Sequence, residues 1–258
     1  MFRFDVVSID RIYRAQTASG PRYAIERHEQ WYWLDGDLFG RYHTGETLAG
    51  RPASLLAPVT PSKIVAIGLN YRHHAAEMNK ALPDEPLMFM KPSTAVIGPD
   101  ASIRTPPGVG RVDYESELAV VIGREAYRVP ATRASEYILG VTCMNDVTAR
   151  DLQRKDVQYT RAKGFDTFAP LGPCIAVGLD GSALALEGWV NDARRQASNT
   201  RDMIFDIATL VECVSFVMTL HPGDVISTGT PSGVGPLQTG DVVTVKIEGV
   251  GELRNPVE

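Results

Sequence analysis

The sequence predicts a β-rich α+β fold. Apolar runs of strand length recur at short spacing, helical periodicity appears in only three places, and no regular strand–helix alternation builds a doubly wound parallel sheet. Residues 1–57 hold alternating segments in YAIERHEQWYWLDGDLFG broken by Asp35-Gly36, which predicts a small N-terminal β meander. ASLLAPVTPSK, with Pro58 and Pro61, marks a joint, so residues 58–258 form the larger unit. Within it KIVAIGLN, DYESELAVVIG, YILGVTCMND, CIAVGL, LEGWVN, DVIST and DVVTVKIEG read as strands. Helices are expected over Tyr71 to Asn79, Thr148 to about Val157, and Ile207 to Leu220. The second opens on Thr148-Ala149-Arg150-Asp151, a capping box with Thr148 as N-cap.

Composition bounds the function. At 258 residues, 44% hydrophobic and 22% charged, the chain is long enough for one large core. A net charge of −5 without a Lys/Arg cluster argues against nucleic acid as a partner. No membrane-length apolar stretch or leader pattern is visible, so a cytoplasmic protein without a membrane partner is expected. Cys143, Cys174 and Cys213 lie far apart in apolar sequence and read as small core residues.

Chemistry concentrates in two stretches. Asp113, Glu115 and Glu117 stand two apart and so share one face of a strand, where unpaired carboxylates repel one another. Either that face is solvated or a cation sits among them; the apolar run LAVVIG, continuing the face through Ala119 and Val121, argues for burial. Asp146 ends another strand at its exit into a helix. Glu115, Glu117 and Asp146 then make an oxygen-only set for a hard divalent cation, with Mg²⁺ favoured because it keeps water positions open to a substrate. The second stretch is NYRHHAAEM. If Asn70 caps a short helix, Tyr71, His74 and Glu77 recur every three residues, and Glu77 can orient the His74 imidazole while His73 points elsewhere. An exposed polar pair on a surface helix has the same spacing.

Taken in order, NYRHHAAEM, FMKPSTAVIGP, DYESELAVVIG, NDVTARDLQ, RAKGFDTFAPLGP and ISTGTPSGVGP resemble the fumarylacetoacetate hydrolase family over roughly residues 61 to 256. That resemblance implies a mixed β-roll or barrel fold with few short helices, and a homodimer. It also implies a divalent metal, generally Mg²⁺ with Mn²⁺ or Ca²⁺ as alternatives, held by Glu115, Glu117 and Asp146, with Asp113 at the rim. The expected substrate is a small 2-oxo or diketo acid, and hydrolytic C–C cleavage of an acylpyruvate-like compound stands first. Oxaloacetate-type decarboxylation, isomerisation of a 2-hydroxyhepta-2,4-diene-1,7-dioate and a catalytically silent metal-binding scaffold are the alternatives. Lys163 matches a family lysine beside metal and substrate, with Asp166 behind it. Thr230 and Gln153 match substrate contacts. Tyr71 and the His74–Glu77 pair match a lid segment that orders over substrate. Three further features carry less. GVGPLQTG precedes a strand rather than a helix and reads as a turn, not a phosphate loop. His221-Pro222-Gly223-Asp224 reads as a loop, and Arg104 as a rim arginine.

Overall fold

The computed structural model describes residues 9–258, so the first eight residues of the expected N-terminal unit lie outside the described residues. Strands dominate. The central strand Ser116–Ile122 is buried on both faces, and its period-two alternation splits the core: Leu118, Val120 and Ile122 join one apolar cluster, Ala119 and Val121 a second. It pairs antiparallel with Ile138–Asn145 and with Val225–Ser227, which in turn pairs parallel with Lys63–Gly68. Leu87–Pro92 closes that edge, antiparallel to Lys63–Gly68. On the other side Ala169–Val177 joins Ile138–Asn145 to Asp10–Thr17, from which Gly20–Arg27, Gln30–Gly36 and Tyr42–Leu48 run outward as a meander.

The N-terminal strands therefore extend the same sheet, and Ile12, Ile25 and Leu34 share a cluster with Ile64, Val121 and Ile175. That sheet stays open rather than closing into a barrel. A four-stranded antiparallel sheet (Ala193–Asn199, Ala185–Val190, Val242–Ile247, Gly251–Pro256) and a three-stranded one (Thr148–Ala149, Val112–Tyr114, Gly235–Pro236) complete the strand layers.

The helices are short: α1 Arg72–Glu77, α2 Arg150–Lys155, α3 Thr160–Lys163 and α4 Ile207–Val217. Among the described residues no helix is long and apolar enough to cross a membrane. Two expected caps are corrected. Thr148 is not an N-cap: it pairs with Asp113 as a strand residue, its hydroxyl donates to Asp146 O, and Ala149 stands at the head of α2 without a side-chain cap. Asn70 does not cap α1 either, because its amide is taken by tertiary partners, donating to Phe205 O and Thr228 O and accepting from Phe205 N. In both places a buried partner offers the polar group more than an exposed first turn does. The segment Tyr71 to Asn79 narrows accordingly to Arg72–Glu77, Thr148 to about Val157 narrows to α2 Arg150–Lys155, and α3 Thr160–Lys163 follows as a further, unexpected helix.

Candidate active site

Strand register brings the acids together. Ser116 faces Asn145 and Glu117 faces Met144, so Asp146, one residue past its strand, lies beside Glu115 and donates its N–H to Glu115 O. One oxygen from each of Glu115, Glu117 and Asp146 falls within 4.8 Å of the others, and all three residues are buried. Solvation is thus ruled out as the reason for the acidic strand.

Protein cations answer most of the charge. Lys163, at the end of α3, donates to Glu115 Oε2 at 2.8 Å, Asp146 Oδ2 at 2.6 Å and Thr148 Oγ1 at 2.7 Å, with the Phe89 ring centroid 4.9 Å away. Lys91, wholly buried, donates to Asp146 Oδ1 at 2.5 Å and to Val147 O. Arg150 Nη2 lies 2.6 Å from Glu115 Oε1, and Arg150 Nε donates to Asp113 Oδ2. Asp113 is not at an open rim: it is fully buried between Arg111 and Arg150. Its place in the alternation is therefore structural, aiming Arg150 at Glu115.

Glu117 differs from the other acids. Its Oε2 accepts from the Ser227 hydroxyl at 2.5 Å and from Gly229 N at 2.9 Å, both neutral donors. Gly229 is required there: its φ is +96°, and a Cβ would stand 2.8 Å from Asn70 Cβ. Burial and then the Asp146 and Glu115 charges push the Glu117 carboxyl well above its ordinary range. Burial works the same way on Glu115, but Lys163 and Arg150 outweigh it and bring that carboxyl down to about 2. Lys163 responds in kind: burial pulls its ammonium down, yet Asp146 and Glu115 hold it above the usual lysine value. For Lys91 burial prevails and the value falls.

The set fits a hard divalent cation. It is oxygen-only, preassembled and buried, and the upward push on Glu117 marks positive charge still wanting at that carboxylate. Glu115, Glu117 and Asp146 are the residues that would hold the ion.

These groups line a cavity of about 280 Å³ together with His74, Gln153, Thr230, Ile67, Leu87 and Phe89. His74 Nδ1 meets Glu77 Oε2 at 2.9 Å, so the pair expected from spacing forms. Glu77 stands behind the imidazole, outside the lining, and accepts from Gly233 N. Gly233 also has a positive φ, +96°, and a Cβ would strike Arg195 O. GVGPLQTG accordingly serves as a turn whose Gly235–Pro236 pairs with Val112–Tyr114. Gln153 lines the cavity and accepts from Arg150. Thr230 lines it too, its hydroxyl donating to Ser116 O and accepting from Gln196.

Tyr71 is buried at the head of α1, just outside the lining, with its hydroxyl unpartnered and within range of the Glu117 charge. Asp166 does not support Lys163; it is exposed, and the ammonium is held by Glu115, Asp146 and Thr148 instead. Arg104 is exposed and faces Glu258. The residues that sequence reasoning missed are Lys91, Arg150, Phe89 and Ser227. Lys91 and Phe89 stood in FMKP two apart, which places both on one face of Leu87–Pro92, a signal of the kind used for the acids.

The family model for the C-terminal domain of fumarylacetoacetate (FAA) hydrolase matches residues 63–258. A protein of Archaeoglobus fulgidus described as uncharacterised is 56% identical over 230 residues, spanning 88% of this chain and 90% of its own length. The mitochondrial oxaloacetate tautomerase of Rattus norvegicus is 42% identical over 216 residues, 79% of this chain and 69% of the relative. The crystal structure of 2-hydroxyhepta-2,4-diene-1,7-dioate isomerase from Mycobacterium marinum superposes with a TM-score of 0.89 at 42% identity, covering 96% of this chain and 97% of that one. With a buried three-carboxylate cluster at the ends of its central strands and the family pattern running through its C-terminal three-quarters, the chain belongs to the fumarylacetoacetate hydrolase family.

Proposed function

We propose that this chain is a divalent-metal-dependent enzyme, Mg²⁺ foremost, that interconverts the keto and enol forms of a small 2-oxo dicarboxylic acid or shifts its conjugated double bond. The observation that carries the reading is the convergence of three carboxylates, Lys163 and His74 on one small cavity. A bound divalent cation supplies Lewis-acid stabilisation of enolate charge there. Lys163 places a fixed ammonium beside the same charge, and its buried carboxylate partners keep it protonated. His74, oriented by Glu77 through Nδ1, presents its other nitrogen for moving a proton at a substrate carbon or oxygen. Ile67, Leu87 and Phe89 limit water at the reacting atoms. Lys80, Arg150 and Arg154 also line the cavity and suit a second carboxylate. The relatives named as a tautomerase and a dioate isomerase favour this order over hydrolysis.

Hydrolytic cleavage of an acylpyruvate is the second reading, favoured by a His74–Glu77 pair already assembled to activate water. A cytoplasmic homodimer working on the small molecule alone, with neither nucleic acid nor membrane as partner, completes the proposal. The test incubates metal-free and Mg²⁺-loaded protein with oxaloacetate, a 2-hydroxy-diene-dioate and acetylpyruvate, and follows products by NMR. Mg²⁺-dependent enol–keto or double-bond exchange without loss of carbon supports the first reading, and acetate with pyruvate from acetylpyruvate the second. Mg²⁺-loaded protein inert toward all three refutes both.

A further inference from the structure

Each carboxylate of the cluster is gripped on one side by the protein. Asp146 Oδ1 accepts from Lys91, Glu115 Oε1 lies against Arg150, and Glu117 Oε2 accepts from Ser227 and Gly229. The remaining oxygens, Asp146 Oδ2, Glu115 Oε2 and Glu117 Oε1, take none of those contacts. Lys163 bridges the first two of them.

From this pattern we infer that Lys91 is a positioning residue that makes Asp146 a one-oxygen ligand, and that gripping all three carboxylates in this way selects a small six-coordinate cation over Ca²⁺. The inference rests on the metal reading above. The physical reason is the difference between the ions. Ca²⁺ takes six to eight oxygens and draws on bidentate carboxylates, whereas Mg²⁺ demands near-octahedral geometry and keeps several waters. A carboxylate with one oxygen committed to a buried ammonium cannot turn to offer both without stranding that ammonium as an uncompensated buried charge.

Lys91 is suited to the task. It lies on Leu87–Pro92 in register with Ile64, on the same face as Phe89, has no exposed surface, and does not line the cavity. It therefore acts through Asp146 rather than on the substrate. Val147 O accepts from the same ammonium and fixes it against the turn that carries Asp146.

Calorimetric titration of metal-free parent and Lys91→Met with Mg²⁺, Mn²⁺ and Ca²⁺ tests this, with circular dichroism confirming the fold. Loss of such an outer partner typically weakens metal binding about 10- to 100-fold. The expectation for Lys91→Met is a loss of that order for Mg²⁺ and a smaller loss or a gain for Ca²⁺, so that the Mg²⁺:Ca²⁺ preference narrows. Should Lys91→Met fail to fold, Ser227→Ala loosens the grip on Glu117 and must narrow the preference in the same direction. An unchanged preference in whichever variant is folded overturns the inference while leaving the metal site intact. A parent that binds no divalent ion overturns the metal reading itself.

Discussion

Lys163→Met tests the charge balance of the site. The Lys163 side chain is 3% exposed, and its ammonium donates to two carboxylates and a hydroxyl. Removing one partner of a buried ion pair costs about 3–5 kcal/mol because the other charge is left uncompensated. Here neither carboxylate is left alone, since Asp146 keeps Lys91 and Glu115 keeps Arg150. The cost should sit at the low end, about 3 kcal/mol, which for a chain of this size lowers Tm by roughly 6–12 °C. Divalent cation should recover most of that loss, so Mg²⁺ raises Tm further in the variant than in the parent. Catalysis should fall more than binding, about 10²- to 10³-fold in kcat, as for loss of a donor at developing negative charge. Scanning calorimetry in EDTA and in Mg²⁺, with steady-state kinetics, reads both effects. A metal-free Tm within about 2 °C of the parent would refute the reasoning, because Glu115 and Asp146 would then not depend on the ammonium for their burial.

Glu115→Gln removes one charged ligand, and calorimetry should show Mg²⁺ affinity reduced at least about tenfold, with turnover following; unchanged affinity sinks the ligand assignment. Glu77→Gln should depress proton-transfer turnover by about 10²-fold, the lower end for general acid–base help, since His74 stays in place but loses its orienting charge; parent-like rates would make the pair a surface contact. Asp224, with no exposed surface, accepts from Ser62 N and Oγ, Lys63 N and Nζ, and His221 N, so Asp224→Asn should cost about 3 kcal/mol at neutral pH in a denaturant titration. Although burial raises the Asp224 carboxyl, the Lys63 and Ser62 bonds hold it below 3.8. The stabilisation is therefore present above 3.8 and lost as pH falls through the lower folded value, and a gap to the variant that persists undiminished there would contradict it.

How far the sequence could be read follows from the range of the forces involved. Period-two alternation is a local property, and it placed Ser116–Ile122, Ile138–Asn145 and Val242–Ile247 close to where they run. The same alternation put Glu115 and Glu117 on one face, and strand pairing supplied Asp146. Helix starts were misread where a capping residue had a better partner far away in the chain. Asn70 reaches Phe205 and Thr228, and Thr148 pairs with Asp113, contacts that no window of a dozen residues contains. Lys91 and Arg150 escaped for the same reason: a lysine in FMKP and an arginine in TARDLQ look like ordinary surface cations until the fold brings them to Asp146 and Glu115.

The oddity of three acids on one buried strand face resolves into an uneven distribution of charge. Asp113 has two arginines, Glu115 has Arg150 and Lys163, and Asp146 has Lys91 and Lys163. Among the described residues Glu117 pairs with no cation and is held by a hydroxyl and an amide alone. Had the cluster existed only for stability, an apolar residue at position 117 would serve better, because a buried carboxylate without a counter-charge costs several kcal/mol. A carboxylate kept there at that cost, one oxygen fixed by neutral donors and the cluster's other two carboxylates bridged by Lys163 beside it, leaves room for a further positive charge. The three carboxylates offer a divalent cation the oxygen-only set that would supply such a charge.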